Sequence, residues 1–406
     1  MTDVKDLIAK ALHISAPWQI EKVEFVEKIG RLNIYVNFTR GAVFNCPGCG
    51  KPGAKAYDTD VFEWRHLDFF QYQAYIIARV PRVDCKDGCG ILKVNVPWAR
   101  PGSGFTLLFD NKVMVLSREM PIATLGRICN EHDTKLWRII NHYVEQGLNK
   151  NDFSMVKRIG IDETAAQRGH KYITSFIDLD TGKLLFATPG KGKETVKVFA
   201  QDLKNHGGNP DLISEVCCDL SPSFIAGIKD NLPSAVTVFD RFHLTKIVND
   251  ALDEVRRQES KETDLLKKTR YHWLKNPNNL TTSQQEKMNA LSKEKLKTGR
   301  AYRIKLAFQD FFKQEDRQHA EIYLKSWYFW GTHSRLEPMI AAAKNIKNHW
   351  DGVLNWYNSK VSNGILEGTN SLLQAGKSKA RGYRKTATFI TMSYMIAGKL
   401  DFGLPT

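Results

Sequence analysis

Four cysteines set the tightest condition on how this chain can fold. Cys46-Pro-Gly-Cys49 is a CxxC knuckle and Cys85-Lys-Asp-Gly-Cys89 a CxxxC knuckle, and each is followed by glycine. Thiolates in two such knuckles suit tetrahedral coordination of one zinc ion. Glycine permits the φ > 0 turns that aim both sulfurs of a knuckle at one point. Residues 50–84 between the knuckles exceed the commonest zinc-finger spacing, and strand hairpins would fill the gap. The result would be a zinc-ribbon-like module. Four protein ligands leave no open position for a substrate, so this zinc is structural in kind. The alternative is four buried or redox cysteines. His66, in EWRHLDFF, is read as part of a packed turn and not as a ligand. Cys129, Cys217 and Cys218 read as small core residues. Seven cysteines, an odd number, in a chain without a secretion signal argue against a disulfide framework.

A chain of 406 residues exceeds what one small core serves, and two to three domains are expected. No apolar run approaches the roughly 20 residues that span a bilayer. The N-terminal MTDVKDLIAKALHI carries acids and lacks an apolar signal core, so a cytoplasmic location without membrane contact is expected. Lys and Arg outnumber Asp and Glu by 59 to 44, a net charge of +15. Such an excess favours a polyanionic partner, because basic side chains release counterions condensed on phosphates.

The pattern divides the chain into segments. Residues 1–105 are rich in strand-like runs such as RLNIYVNF and QYQAYIIARV, and form the expected zinc-binding module. Residues 106–152 turn helical. FDNKVMVLSREM reads as one helix, Pro121 opens a second, and a third begins at Thr134 after the turn Glu131-His132-Asp133. Ile122, Leu125, Leu136, Ile139, Ile140 and Tyr143 fall at helical spacing and form a small core. Lys135, Arg138 and His142 then face outward on the third helix, as a helix-turn-helix needs for a major groove. A generic three-helix packing unit is the other reading. Residues 251–349 are a polar helical stretch, within which NPNNLTTSQQ reads as a flexible loop. Its tryptophans and those just after it, Trp327, Trp330, Trp350 and Trp356, read as packed aromatic helices or as platforms for unpaired bases.

Chemistry concentrates after residue 155. MVKRIGIDET is a short apolar strand with Asp162 near its end. HKYITSFIDLD and KLLFATPG are the next strands, and ETVKVFAQDLKNH is a helix. ISEVCCDL is a strand ending in Asp219, Ser221-Pro222 starts a helix, and SAVTVFDRFHL carries Asp240 near its end. The order β-β-β-α-β-α-β is that of an RNase H-like domain, expected over 153–250 and 350–400. A carboxylate inside an apolar strand is costly, whereas one at a strand end can ligate a hard cation. Asp162 and Asp219 would converge, and like charges held close repel unless a cation bridges them. A third acid must come from a helix crossing that edge. Glu367 suits it, with Asn363 as helix cap and Asn370, Ser371 and Gln374 on one polar face. Lys377, Lys379, Arg381, Arg384 and Lys385 follow, placed for phosphates. Glu163, read in a turn, and Asp178, on an adjoining strand, fit the acid role less well. Asp240 and His243 read as supporting groups behind the acids or as DNA contacts.

These residues together resemble bacterial insertion-sequence transposases of the ISL3 family. The resemblance rests on Cys46–Cys49 with Cys85–Cys89, IGIDE around Asp162, CCDLSPSF around Asp219, VFDRFHL around Asp240 and NGILEGTN around Glu367. It implies a multidomain α+β chain: zinc module, helix-turn-helix, and RNase H-like catalytic domain interrupted by a helical insertion. It further implies Asp162, Asp219 and Glu367 as a DDE triad holding two Mg²⁺ or Mn²⁺ ions, and one zinc on the four cysteines. The expected partners are double-stranded terminal inverted repeats and target DNA, with a homodimer pairing two ends at the bacterial nucleoid. A structure-selective nuclease or resolvase would share the metals but not join ends. A non-catalytic zinc/helix-turn-helix regulator would leave the acid pattern unexplained.

Overall fold

The computed structural model describes residues 4–359 and 364–404. The chain forms two compact units, Met1–Gly147 with Asp401–Thr406, and Leu148–Leu400.

The first unit begins with α1 (Val4–Ala11) and six strands: β1 (Trp18–Val26), β2 (Arg31–Phe38), β3 (Val43–Phe44), β4 (Ala54–Arg65), β5 (Gln73–Cys85) and β6 (Gly90–Lys93). They form one sheet in the order β1-β2-β5-β4-β3, with β6 also on β5. Alternate residues of β5, Ala74, Ile76, Ala78 and Val80, enter a core with Leu32, Val36, Trp18, Trp64 and Trp98. That period of two is what a half-buried strand requires. The antiparallel pair β4/β5 fills the gap between the cysteine knuckles, as expected. Three helices follow, α2 (Leu107–Glu119), α3 (Ile122–Cys129) and α4 (Asp133–Asn149). Thr106 caps α2 through the Phe109 amide, Pro121 precedes α3, and Asn130 at φ 51° ends it. All six residues expected in the small helical core are buried.

The second unit holds β7 (Arg158–Gln167), β8 (Lys171–Asp178), β9 (Leu184–Pro189), β10 (Glu215–Cys218) and β11 (Val236–Phe239). The sheet order is β11-β10-β7-β8-β9. Strands β7, β8 and β9 run antiparallel, while β10 and β11 lie parallel to β7. Helices α5 (Lys193–Asn205) and α6 (Pro222–Asn231) join the parallel part. Their Val196, Phe199, Leu203, Phe224 and Ile228 share a core with Ile159, Ile161, Phe176, Val216 and Cys218.

Beyond the sheet come α7 (Arg241–Glu259), α8 (Arg270–Leu274), α9 (Thr282–Ser292), α10 (Lys297–Phe311), α11 (Arg317–Thr332), α12 (Glu337–Asn348), α13 (Trp350–Leu354) and α14 (Trp356–Ser359). Helices α10 and α12 pack on α7, and α13 and α14 lie against β11. Asn355 donates to the Thr237 carbonyl at 3.0 Å, so the sheet edge is covered. The chain then returns as α15 (Gly364–Lys379) and α16 (Thr386–Ala397), which pack on β7 and on β7–β9. No helix among the described residues is long and apolar enough to cross a membrane.

Three expectations need correction. NPNNLTTSQQ is not a loop: a short 3-10 turn at Pro277–Asn279 leads into α9, where Thr281 and Gln284 cap each other's backbone amides. That T-x-x-Q capping box was readable in the sequence. Asp162 is not near a strand end, because β7 continues to Gln167 paired with β8. For the same reason Glu163 lies in a strand and not in a turn. Asn363 is outside the described residues. Among the tryptophans, Trp327 is buried and donates to the Ile304 carbonyl at 2.9 Å. Trp350 and Trp356 pack against the same core, while Trp330 is 40% exposed.

Candidate functional site

The cysteine cluster comes first. Cys46 and Cys49 follow β3, Cys85 ends β5, and Cys89 precedes β6. Pairing of Cys85 with Gly90 turns the second knuckle back on itself. Gly50 and Gly90 adopt φ of 74° and 77°, the left-handed turns glycine was expected to supply. The ligand atoms of all four cysteines lie within 4.8 Å of one another. Cys49 Sγ and Cys85 Sγ are 3.7 Å apart. A tetrahedron with Zn–S bonds of about 2.3 Å has an edge of about 3.8 Å, so Cys49 and Cys85 already stand at the spacing one zinc ion needs. The Cys49 and Gly48 amides point at the Cys46 sulfur and bring that thiol down to about 7. His66 lies apart, buried, with Nδ1 2.9 Å from Thr106 Oγ1. Burial pushes it down to about 4, so it is a neutral packed residue as expected.

The acids occupy one edge of the second sheet. Strand β10 pairs with β7 only as far as Cys217↔Gly160. Asp162 lies just past that last pair, Asp219 directly follows β10, and Asp240 directly follows β11. The parallel strands therefore stop at one level and present three aspartates there. The carboxyl ends of parallel strands are where such sheets bind ligands.

Hydrogen bonds orient each acid. Asp162 Oδ1 accepts from the Glu163 amide at 2.7 Å, and Oδ2 accepts from Asn370 Nδ2. Asp219 Oδ1 accepts from the Ser221 amide at 2.9 Å. Asp240, buried, caps α7 through the Phe242 amide and holds His243 Nδ1 at 3.0 Å. Burial raises Asp162 to about 6, with the charges of Asp240 and Asp219 adding to it. Burial also raises Glu163, again with Asp219 nearby and Lys191 opposing. The bond to Asp240 raises His243, which faces Asp219 and Asp162. Asp178 stands apart and closes a turn with Asp180 and Thr181.

Helix α15 lies along β7 in the same direction. Leu366 sits on Gly160, Asn370 bonds Asp162 and Thr164, and Lys377 donates to the Ala165 carbonyl. Beyond its end, Gln167 donates to the carbonyls of Tyr383 at 3.0 Å and Arg384 at 2.7 Å. A Cβ on Gly160 would fall inside the Leu366 side chain, so glycine is what lets the helix seat. Glu367 is exposed one turn before Asn370 on this helix. Among the described residues only the four cysteines bring three or more such ligand atoms within 4.8 Å. Lys379, Arg381 and Arg384 are exposed, as are Lys135, Arg138 and His142 on α4.

The model of the ISL3 transposase domain matches residues 159–393, which span this sheet, the helices and α15. The chain belongs to the ISL3 family of transposases. The helix-turn-helix domain of the same family matches residues 94–144, and the zinc-finger of transposases IS204/IS1001/IS1096/IS1165 matches residues 42–89. The transposase for insertion sequence element IS1557 of Mycobacterium tuberculosis is 27% identical over 389 residues, covering 86% of this chain and 85% of its own. The transposase for IS1001 of Bordetella parapertussis is 23% identical over 384 residues, covering 92% and 94%. The chain is thus a DNA transposase with a DNA-binding helix-turn-helix and a structural zinc module.

One consequence for stability follows from Asp162. Its carboxyl is raised to about 6, so in the folded protein ionisation is disfavoured. The penalty is absent below the ordinary carboxyl pKa, grows as pH rises, and is complete above about 6. Asp162→Asn removes it, and Asn370 can rotate its amide to keep the hydrogen bond. Zinc-loaded, magnesium-free Asp162→Asn is therefore expected to be more stable than the parent by about 2 kcal/mol at pH 8, allowing for partial solvent screening. Urea unfolding at pH 4 and pH 8 checks this. An equal difference at both pH values would show that the carboxylate is not held against its preference.

Proposed function

We propose that this transposase binds insertion-sequence ends, cuts them, and joins them to target DNA with a DDE triad of Asp162, Asp219 and Glu367. The observation that supports this best is the shared level at which β10 and β11 end beside Asp162. Burial raises the carboxyl of Asp162 there, with Asp240 and Asp219 adding to it, and carboxylates gathered in such a place suit divalent cations. Two Mg²⁺ or Mn²⁺ ions held by the triad would supply Lewis-acid stabilisation of the attacking and leaving oxygens. The chain's own residues orient those carboxylates. The Glu163 and Ser221 amides fix Asp162 and Asp219, Asn370 ties Asp162 to α15, and Asp240 with His243 stands behind them. Seating of Leu366 on Gly160 sets the register of α15 and hence the reach of Glu367.

The mixed sheet, with three antiparallel strands and two parallel ones, supports an RNase H-like reading of residues 153–250 and 350–400. Residues 251–349 would then be a helical insertion packed around α7. Residues 1–105 would be the zinc module and 106–152 the helix-turn-helix. Lys377, Lys379, Arg381 and Arg384 would meet phosphates, and Lys135, Arg138 and His142 terminal DNA, with two copies pairing two ends.

Incubation of the protein with duplexes carrying the element's terminal repeats, and with Mg²⁺ or Mn²⁺, tests this reading. Nicked ends bearing 3′-OH groups and products joined to a target duplex are expected. Cleavage without joined product would remove strand transfer and favour a nuclease of the same fold. Binding without any cleavage would remove the triad.

A further inference from the structure

Between the sheet of the zinc module and the helix-turn-helix lies a cleft of about 360 Å³. Arg65 and Tyr75 come from the sheet, Arg100 and Ser103 from the segment after it, and Lys135 and Arg138 from α4. We propose that this cleft is a phosphate clamp for the DNA backbone, with Arg100 and Arg138 as its two contacting guanidinium groups. The inference builds on the DNA-binding reading: it assigns Arg138 to the DNA backbone instead of a base edge and adds Arg100 beside it.

The side chains are unequally committed. Arg65 is buried and engaged with the His66 and Ala74 carbonyls and with Asp68, so it lends charge to the wall without reaching out. Lys135 pairs with Glu131 at 2.9 Å. Arg138 is exposed, with no ion pair or hydrogen bond among the described residues. Arg100 is held from behind: its Nε donates to Asp110 Oδ2 at 2.9 Å, and Tyr143 Oη donates to the same oxygen at 3.3 Å.

Asp110 is the informative residue. It is fully buried on α2, and burial raises it to about 6 despite the guanidinium beside it. A carboxylate kept in so costly a place does little for folding that an apolar side chain would not do better. It does fix one guanidinium at a cleft wall, with α2, α4 and the 100–104 segment tied together around it. A guanidinium anchored through Nε keeps its two terminal nitrogens for a planar, two-point bond to a phosphate. The charge around the cleft is favourable, since four basic groups outnumber Glu63 and Glu131 in its lining.

The test is fluorescence anisotropy of the full-length, zinc-loaded chain on a labelled random-sequence duplex, titrated at several salt concentrations. Each phosphate contact contributes about 0.9 to the slope of log K against log salt. Arg138→Ala and Arg100→Gln are each expected to flatten that slope by about one and weaken binding about tenfold, and the pair together by about two. Asp110→Asn should weaken the grip of Arg100 and move the slope in the same direction. Arg138 has no structural partner to lose, so its variant keeps the test sound if Arg100→Gln folds poorly. A parent-like slope in Arg138→Ala on the random duplex would overturn the proposal, and so would a loss seen only on a terminal-repeat duplex run beside it, which marks a base reader. Absence of any binding by the parent chain would instead overturn DNA binding itself.

Discussion

Replacing Asp162 or Asp219 by Asn is expected to abolish cleavage and strand transfer, by a factor of about a thousand or more, while DNA binding persists. The two carboxylates lie at one level of adjacent parallel strands, each fixed by a neighbouring amide. Their task in the proposed reaction is electrostatic, and an amide of the same shape cannot hold a divalent cation in their place. Residues that act as a unit lose nearly everything at the first substitution, so the double variant should add little. Glu367→Gln should be equally severe. Glu163→Ala is the informative comparison, since Glu163 also lies near Asp219. Cleavage kinetics in Mg²⁺ with pre-bound DNA provide the measurement. Near-normal rates for Asp162→Asn or Asp219→Asn would sink the proposed chemistry. A near-normal rate for Glu367→Gln with a dead Glu163→Ala would move the third ligand from α15 to β7.

The second large effect concerns zinc. Structural zinc sites in small modules contribute about 10–16 kcal/mol of apparent binding free energy at neutral pH, which is folding free energy. The knuckles here close β5 onto β6 and hold the β3 end of the sheet. Cys46→Ser with Cys85→Ser is expected to lose the ion and unravel the region around residues 42–93. Elemental analysis should give one zinc per parent chain and none in the variant. Proteolysis should cut the variant within this region and leave the sheet around Asp162 protected. Zinc-free protein with parent-like protease resistance would show that the cysteines pack without a metal.

Much of this was legible beforehand, for identifiable reasons. The zinc knuckles were readable because ligand type and glycine position are local requirements. The three helices of residues 107–149 were readable because apolar spacing and Pro121 mark them. The candidate acids are marked in the sequence by their strands, but their setting is not. Asp162 was read near a strand end because the apolar run stops there, but β7 goes on as a polar strand paired to β8 alone. Alternation from Ile159 and Ile161 carries Glu163 onto the face shared with α5 and α6, opposite the one α15 covers. The role of Asn370 as a ligand of Asp162 could not be read, because it depends on a contact spanning two hundred residues. The buried Asp110 behind Arg100 was invisible for the same reason, since burial of a polar side chain leaves no periodic trace.

The way α15 closes over β7 has a meaning for the order in which the protein is made. Every strand of the second sheet has left the ribosome by Phe239, but the helix that covers Gly160 and reaches Asp162 begins only at Gly364. During synthesis the zinc knuckles and α2–α4 are complete long before the cutting site can be. A chain ended before α15 thus carries the groups that grip DNA, with Asp162 and Asp219, but lacks Asn370 and the proposed third acid Glu367. Such a product would compete with the full protein for DNA. With Glu367 as the third ligand, as proposed, incomplete translation would restrain transposition without releasing an active nuclease.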